Sequence, residues 1–157
     1  MIRVLFVCHG NICRSTMAES IFSALVKEAG LEKEIAVSSA ATHCDELGNP
    51  PYPYAVRTLA AHGIGAVAHR ARLLTKADGE TYDYIVGMDE ENRIHMKRIL
   101  GKAHEKKVSL LLEFTPTPHA IADPWYTRDF ELSFSEIEEG CRALFNKIKS
   151  ENCGKFS

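Results

Sequence analysis

What most restricts the fold of this chain is the passage from a buried strand into a helix near its start. Ile2 to Val7 is nearly all apolar, broken only by Arg3. Such a run, without polar alternation, predicts a strand covered on both faces, as in a parallel sheet. It breaks at Cys8-His9-Gly10, and a helix follows from Ser15 or Thr16 to Ala29. Met17, Ile21, Phe22, Leu25 and Val26 give that helix an apolar face at helical spacing, and Gly30 ends it. Thr16 and Glu19 have the spacing of a capping box.

The same alternation continues along the chain. Glu34 to Ser39 reads as a second strand, followed by a small-residue loop through Ala40, Ala41 and Thr42. Asn49 ahead of Pro50 and Pro51 predicts a helix start, continued by Val56, Leu59 and Ala60 and stopped by Gly63. His69 to Leu74 is irregular or a short bridge, and Thr75 with Asp78 caps a single helical turn. Tyr82 to Gly87 is a third strand, Asp89 opens a helix carrying Ile94, Ile99 and Leu100, and Val108 to Leu112 is a fourth strand. A polar, proline-bearing loop then runs from Glu113 to about Thr127. In the last helix Phe130, Phe134, Ile137, Cys141, Leu144 and Ile148 form one continuous stripe for packing on a sheet. The tail from Glu151 to Ser157 has little to bury and is expected to fray.

Strands alternating with helices predict a parallel α/β sheet joined by right-handed crossovers. Ligands of such sheets bind outside the carboxyl ends of the strands. Cys8 falls just past the end of the first strand. At 157 residues the chain reads as one domain, 1–157. A net charge of −2 argues against non-specific nucleic-acid binding. No apolar run reaches the ~18 residues of a membrane span, and the first is too short for a signal peptide. Five cysteines at irregular spacing fit free thiols in a reducing compartment, which points to the cytoplasm.

The chemistry concentrates between Val7 and Glu19. A short loop feeding a helix N-terminus turns unpaired N–H groups toward one point, where the helix dipole favours negative charge. A cysteine at the base of that cradle is in a field that favours the nucleophilic thiolate. An arginine at its far end supplies a planar fork for two phosphate oxygens. Five residues separate Cys8 from Arg14. Taken singly, the cysteine reads as a small apolar residue and the arginine as a solvated one. Together with Gly10 and the strand-to-helix junction, they read as a cysteine nucleophile aimed at a bound phosphoryl group. The Gly-x-x-x-x-Gly-Lys nucleotide loop is absent from the sequence.

The segments V-C-H-G-N-I-C-R-S, S-A-A-T, G-N-P-P, Y-D-Y-I-V-G-M-D-E-E-N and D-P-W-Y resemble the low-molecular-weight protein tyrosine phosphatase family, in its order and spacing over nearly the whole chain. The resemblance implies a single phosphatase domain of three layers, α/β/α, with a four-stranded parallel sheet in the order 2-1-3-4. It implies a two-step hydrolysis of phosphotyrosine and aryl phosphates without metal or other cofactor, with a mildly acidic optimum. Cys8 would form a phosphocysteine, the loop His9, Gly10, Asn11, Ile12, Cys13 and Arg14 would hold the phosphoryl oxygens, and Asp123 would serve as general acid and then base. Asn11, Ser15, Ser39 and His69 match positions that keep the loop in shape, and Ser15 would also donate to the Cys8 sulfur. For Ser39 and His69, ordinary surface polarity is the alternative. Trp125 and Tyr126 either flank the substrate ring or are partly buried core. Cys13 is either a redox partner of Cys8 or a loop-filling residue. The implied partners are phosphotyrosine-containing proteins, with inorganic phosphate as product and inhibitor and the chain a monomer or weak dimer. Neither nucleic acid nor membrane is implied.

The chain departs from the family pattern in three places: His9 at a spot often leucine or threonine, Thr16 in place of a common proline, and the pair Cys44-Asp45 where many members carry an aromatic at the pocket mouth. The rivals on this scaffold are an arsenate reductase and a protein-arginine phosphatase. The first needs later redox cysteines, which Thr75 to Gly101 lacks, and the second has threonine where this chain has Ile12. A non-catalytic phospho-ligand module would be expected to lack Cys8 or Asp123, and both are present.

Overall fold

The computed structural model describes residues 1–156. Four parallel strands, β1 (Ile2–Cys8), β2 (Ile35–Ala41), β3 (Tyr84–Gly87) and β4 (Val108–Leu110), form one sheet in the order β2-β1-β3-β4. The expected strand order is the one observed. The helices are α1 (Arg14–Glu28), α2 (Pro53–Ala61), α3 (Asp78–Thr81), α4 (Glu90–Leu100), α5 (Pro124–Thr127) and α6 (Phe130–Glu151).

Side chains along a strand alternate between faces, and β1 shows why its sequence had to be apolar throughout. Val4, Phe6 and Cys8 enter the core shared with α1 and α6, where Phe22 stands edge-on between Phe6 and Phe145. Leu5 and Val7 enter the other core with Ile85, Met96 and Leu100. Cys8 therefore ends the strand on the α1 and α6 side. The α6 stripe is buried at every expected position from Phe130 to Ile148.

Several local expectations are corrected. The Thr16–Glu19 capping box does not form: α1 begins earlier, with no side-chain cap, and Thr16 Oγ1 donates back to the Cys13 carbonyl at 3.0 Å. Glu19 is instead turned toward Ser39. Asn49 does not start α2; it donates to Glu46, and the helix begins at Pro53 with Tyr52 before it. β2 runs on through Ala40 and Ala41, because the sheet continues there against Cys8, and Ala41 also bridges Leu73. β4 stops at Leu110, and Leu111–Phe114 tightens into a 3₁₀ turn. Ile94 is exposed, the inner face of α4 being Asn92, Met96 and Leu100. In the tail Phe156 packs against the core, so that segment buries more than its composition suggested. Among the described residues no helix is long and apolar enough to cross a membrane.

Candidate active site

The loop between β1 and α1 is shaped by where its carbonyls go. Cys8 and His9 accept from the amides of Thr42 and His43, at 3.0 and 3.1 Å. Ile12 accepts from Tyr52 at 2.8 Å, and Cys13 from Met17 at 2.9 Å. With the carbonyls drawn outward, the amides of Gly10 to Cys13 find no acceptor among the described residues. Such concave, unpaired N–H groups favour an anion. The left-handed backbone in this turn belongs to Asn11, at φ 61°, and not to Gly10. That conformation is uncommon outside glycine but tolerated best by asparagine and aspartate.

The Asn11 side chain is fully buried and explains how the turn is held. Its Oδ1 accepts from the Arg72 amide at 3.2 Å, which fixes the amide orientation because a backbone N–H can only donate. The same oxygen therefore receives its 2.7 Å contact from the Nε2–H of His69. Asn11 Nδ2 donates to Ser15 Oγ at 2.8 Å and to Ser39 Oγ at 2.9 Å. Each serine then has its own proton to give. Ser39 donates to Glu19 at 2.5 Å, and Ser15 lies 3.0 Å from the Cys8 sulfur. Burial, and after it Arg72, pushes the His69 imidazole below its usual value, in keeping with a neutral ring donating through Nε2. Burial also pushes the Glu19 carboxyl up, against the lowering effect of its Ser39 bond and of Arg72.

Arg14 opens α1 with its side chain only 3% exposed. Nη1 donates to Asp89 at 2.7 Å and to the Ile121 carbonyl at 2.8 Å, which leaves Nε and Nη2 without a hydrogen-bond acceptor among the described residues. Burial opposes its charge, yet Cys8, Asp89 and Asp123 together hold it above the ordinary arginine value. Asp123 Oδ2 is 3.6 Å from Arg14 Nη2, while its Oδ1 caps α5 by accepting from the Trp125 amide at 3.0 Å. Burial first, and the neighbouring Cys8 second, pushes the Cys13 thiol up, so that it stays protonated at neutral pH.

One cavity of about 120 Å³ is lined by Cys8, His9, Gly10, Asn11, Ile12, Cys13, Arg14, Asp45, Asp123, Trp125 and Tyr126, with Glu46 added. The structure thus gathers segments more than 100 residues apart in the sequence around one sulfur. Ser15 is not on the wall, and it meets the lining residues Cys8 and Asn11 from behind. Ser39 and His69 belong to the buried network and are not surface polarity. At the rim His9 pairs with Asp45 at 2.6 Å and stacks on His43 at 4.0 Å, with His95 edge-on beyond it. Trp125 packs on Tyr52 at 5.0 Å, whereas Tyr126 stands 81% exposed. Among the described residues no group of side chains could hold a metal ion.

Sequence reading missed Asp89 as the anchor of Arg14, Glu19 as the buried acceptor under Ser39, and Glu46 on the wall. Asp89 did carry a signal as the start of a helix. Its second job, pairing with a residue 75 positions away, had none.

Comparison with known proteins gives a consistent set of relatives. Residues 3–153 match the family model described as low molecular weight phosphotyrosine protein phosphatase. The chain is 37% identical over 153 residues to the low molecular weight protein-tyrosine-phosphatase YfkJ of Bacillus subtilis, covering 96% of this chain and 98% of that one. It is 40% identical over 149 residues to the low molecular weight phosphotyrosine protein phosphatase of Homo sapiens, covering 92% and 94%. The crystal structure of Bacillus subtilis YfkJ superposes with a TM-score of 0.93 at 37% identity, covering 96% of each chain. The YwlE arginine phosphatase superposes with a TM-score of 0.85 at 27% identity, covering 96% of this chain and 97% of that one.

Proposed function

The chain belongs to the low molecular weight phosphotyrosine protein phosphatase family, and from that membership we propose that its hydrolysis of phosphotyrosine runs through a phosphocysteine on Cys8. It is a protein tyrosine phosphatase. The observation that carries the proposed mechanism is the convergence of Cys8, Arg14 and Asp123 on one narrow cavity beneath unpaired amides.

The Cys8 thiolate attacks phosphorus as the bond to the phenolic oxygen breaks. The amides of Gly10 to Cys13 and the free edge of Arg14 hold the equatorial oxygens, whose charge redistributes in the transition state. Asp123 protonates the departing phenolate, whose conjugate acid has a pKa near 10; such proton transfer contributes about 10²–10⁴-fold. The resulting carboxylate then takes a proton from the water that hydrolyses the phosphocysteine, and Ser15 stabilises the thiolate as it leaves. His9, Ile12, Asp45, Trp125 and Tyr126 form the surface met by the phosphotyrosine ring and its neighbours. Asn11, Ser39 and His69 hold the loop. Cys13, protonated and buried, stands by as the thiol that would close on an oxidised Cys8. The whole of 1–157 acts as one phosphatase domain, as a monomer or weak dimer, on phosphotyrosine-containing proteins, with inorganic phosphate as product and inhibitor. Its five free cysteines suit a reducing cytoplasm.

The test is phosphate release from phosphotyrosine, phosphoserine and phosphoarginine peptides, with chelator present, by the wild type, Cys8→Ser and Asp123→Ala. Phosphotyrosine is expected to be preferred, with Cys8→Ser inactive. Retained activity in Cys8→Ser would sink the mechanism. A strong phosphoarginine preference would move the chain toward its YwlE neighbour, and thiol-dependent arsenate reduction toward the reductases.

A further inference from the structure

Beside the phosphate pocket runs a groove of about 670 Å³ lined by Tyr52, Tyr54, Arg57, Arg128, Phe130 and Glu131, among others. It adjoins the catalytic cavity: Tyr52, on its wall, packs on Trp125 of that cavity at 5.0 Å and on Phe130 at 6.0 Å. Two guanidiniums stand in it. Arg57 lies over the Tyr54 ring at 4.3 Å. Arg128 lies 5.6 Å from the Trp125 ring centroid and donates to the Tyr52 hydroxyl at 3.2 Å.

The acids nearby are already engaged. Asp129 caps α6 by accepting from the Leu132 amide at 2.9 Å, and Glu131 pairs with His62 at 2.8 Å. Among the described residues neither Arg57 nor Arg128 forms an ion pair with a carboxylate. Arg128 also takes a left-handed backbone, φ 63°, at the turn that closes α5, a conformation uncommon for arginine. The chain thus presents two exposed, anion-free cations and a row of aromatic rings at the edge of its reaction site.

We propose that this groove binds an acidic segment of the phosphotyrosine-bearing protein while its phosphate occupies the Cys8 pocket. The inference rests on the phosphatase reading and names what that reading leaves open, the kind of sequence that flanks the phosphotyrosine. Guanidiniums suit carboxylates by their paired donors, and rings hold the peptide between them. Each exposed pair is worth up to about fivefold in affinity and weakens with salt.

The experiment compares kcat/KM for phosphotyrosine peptides carrying paired glutamates, alanines or lysines, placed in turn before and after the phosphotyrosine, at low and high salt. The glutamate-to-alanine ratio is expected to be about fivefold at low salt on one side of the phosphotyrosine, and to approach one at high salt. It should survive in Arg57→Lys, and in the Arg57→Glu, Arg128→Glu double variant it should fall below one as lysine becomes preferred. Because each ratio is taken within one enzyme, a general loss of activity does not affect it. A wild-type ratio of one on both sides, or a ratio unchanged in the double variant, overturns the groove's role. So does a dimer at assay concentration that the double variant dissolves, since a second copy would then fill the groove. Free p-nitrophenyl phosphate has no peptide to reach the groove. If the wild type fails to hydrolyse it, the phosphatase reading is what has failed.

Discussion

Ser15 Oγ sits 3.0 Å from the sulfur of Cys8 and accepts from Asn11 Nδ2 at 2.8 Å, so its own proton is available to a thiolate at Cys8, which can only accept. A hydrogen bond to a charged group is worth about 1.5–3 kcal/mol. Ser15→Ala should therefore lower kcat about ten- to hundredfold, with the breakdown of the phosphocysteine slowed most and KM little changed. Steady-state kinetics with p-nitrophenyl phosphate, joined to acid trapping of the phosphoenzyme, would show it. An unchanged kcat would mean that the hydroxyl does not serve the departing thiolate.

Asp89 does two jobs that two substitutions can separate. It caps α4, accepting from the Asn92 amide at 2.8 Å, and it holds Arg14 Nη1 at 2.7 Å. Asparagine is as good a cap as aspartate but brings no charge. Asp89→Asn should weaken phosphate inhibition and raise KM several-fold, as the guanidinium loses its anchor, and its cost in stability is that of leaving the buried Arg14 with one carboxylate fewer. Asp89→Ala should add about 1 kcal/mol of destabilisation from the lost cap. Equal stability of the two variants by urea denaturation would refute this division.

The fold was legible because β1 and α6 carry long, unambiguous apolar patterns, and the central strand of a parallel sheet cannot hide its double burial. Ends were harder to read. Asn49 looks like a cap, yet its amide is drawn to Glu46, while Tyr52 hands its own N–H to Ile12 and the helix waits for Pro53. Cys8 and Arg14 stood out from the strand-to-helix junction itself and Asp123 only through the family resemblance, and the fold brings the three to one cavity. Glu19 and Asp89 were not legible, because each serves a partner brought near only by folding. The histidine rim has the same character: His9, His43 and His95 come from three segments and meet only across the end of the sheet.

Stability should depend on pH through His69. Its folded-state value lies below the ordinary histidine value of about 6.5, through burial and then Arg72. The unfolded chain therefore binds more protons below that pH, and stability is lost as pH falls through 6.5 and on past the folded value. Glu19, pushed up by burial, acts in the opposite sense, so the comparison must be between variants. His69→Gln keeps a donor for Asn11 Oδ1 and removes the titration. Its stability between pH 7.5 and 5.5 should fall less steeply than that of the wild type, by no more than about 1.4 kcal/mol per pH unit for one group. Parallel curves from urea denaturation would show that His69 is not the titrating group.

Gly140 offers a test of packing in which two effects compete. It lies within α6, where alanine is preferred to glycine by about 1 kcal/mol. A Cβ there, however, would stand 2.4 Å from Cγ of the buried Leu111, a branch point with no free end to swing aside. Overpacking of this kind costs about 1–3 kcal/mol, so Gly140→Ala should destabilise despite its better helix propensity. Leu111→Ala alone should cost about 2–5 kcal/mol through the cavity it leaves. In that background the clash is gone and part of the cavity is filled, so Gly140→Ala should become stabilising. The sign reversal, read from a double-mutant cycle in urea, follows only if α6 is seated against the turn after β4 at this glycine. The same loss of stability in both backgrounds would place the cost within the helix itself.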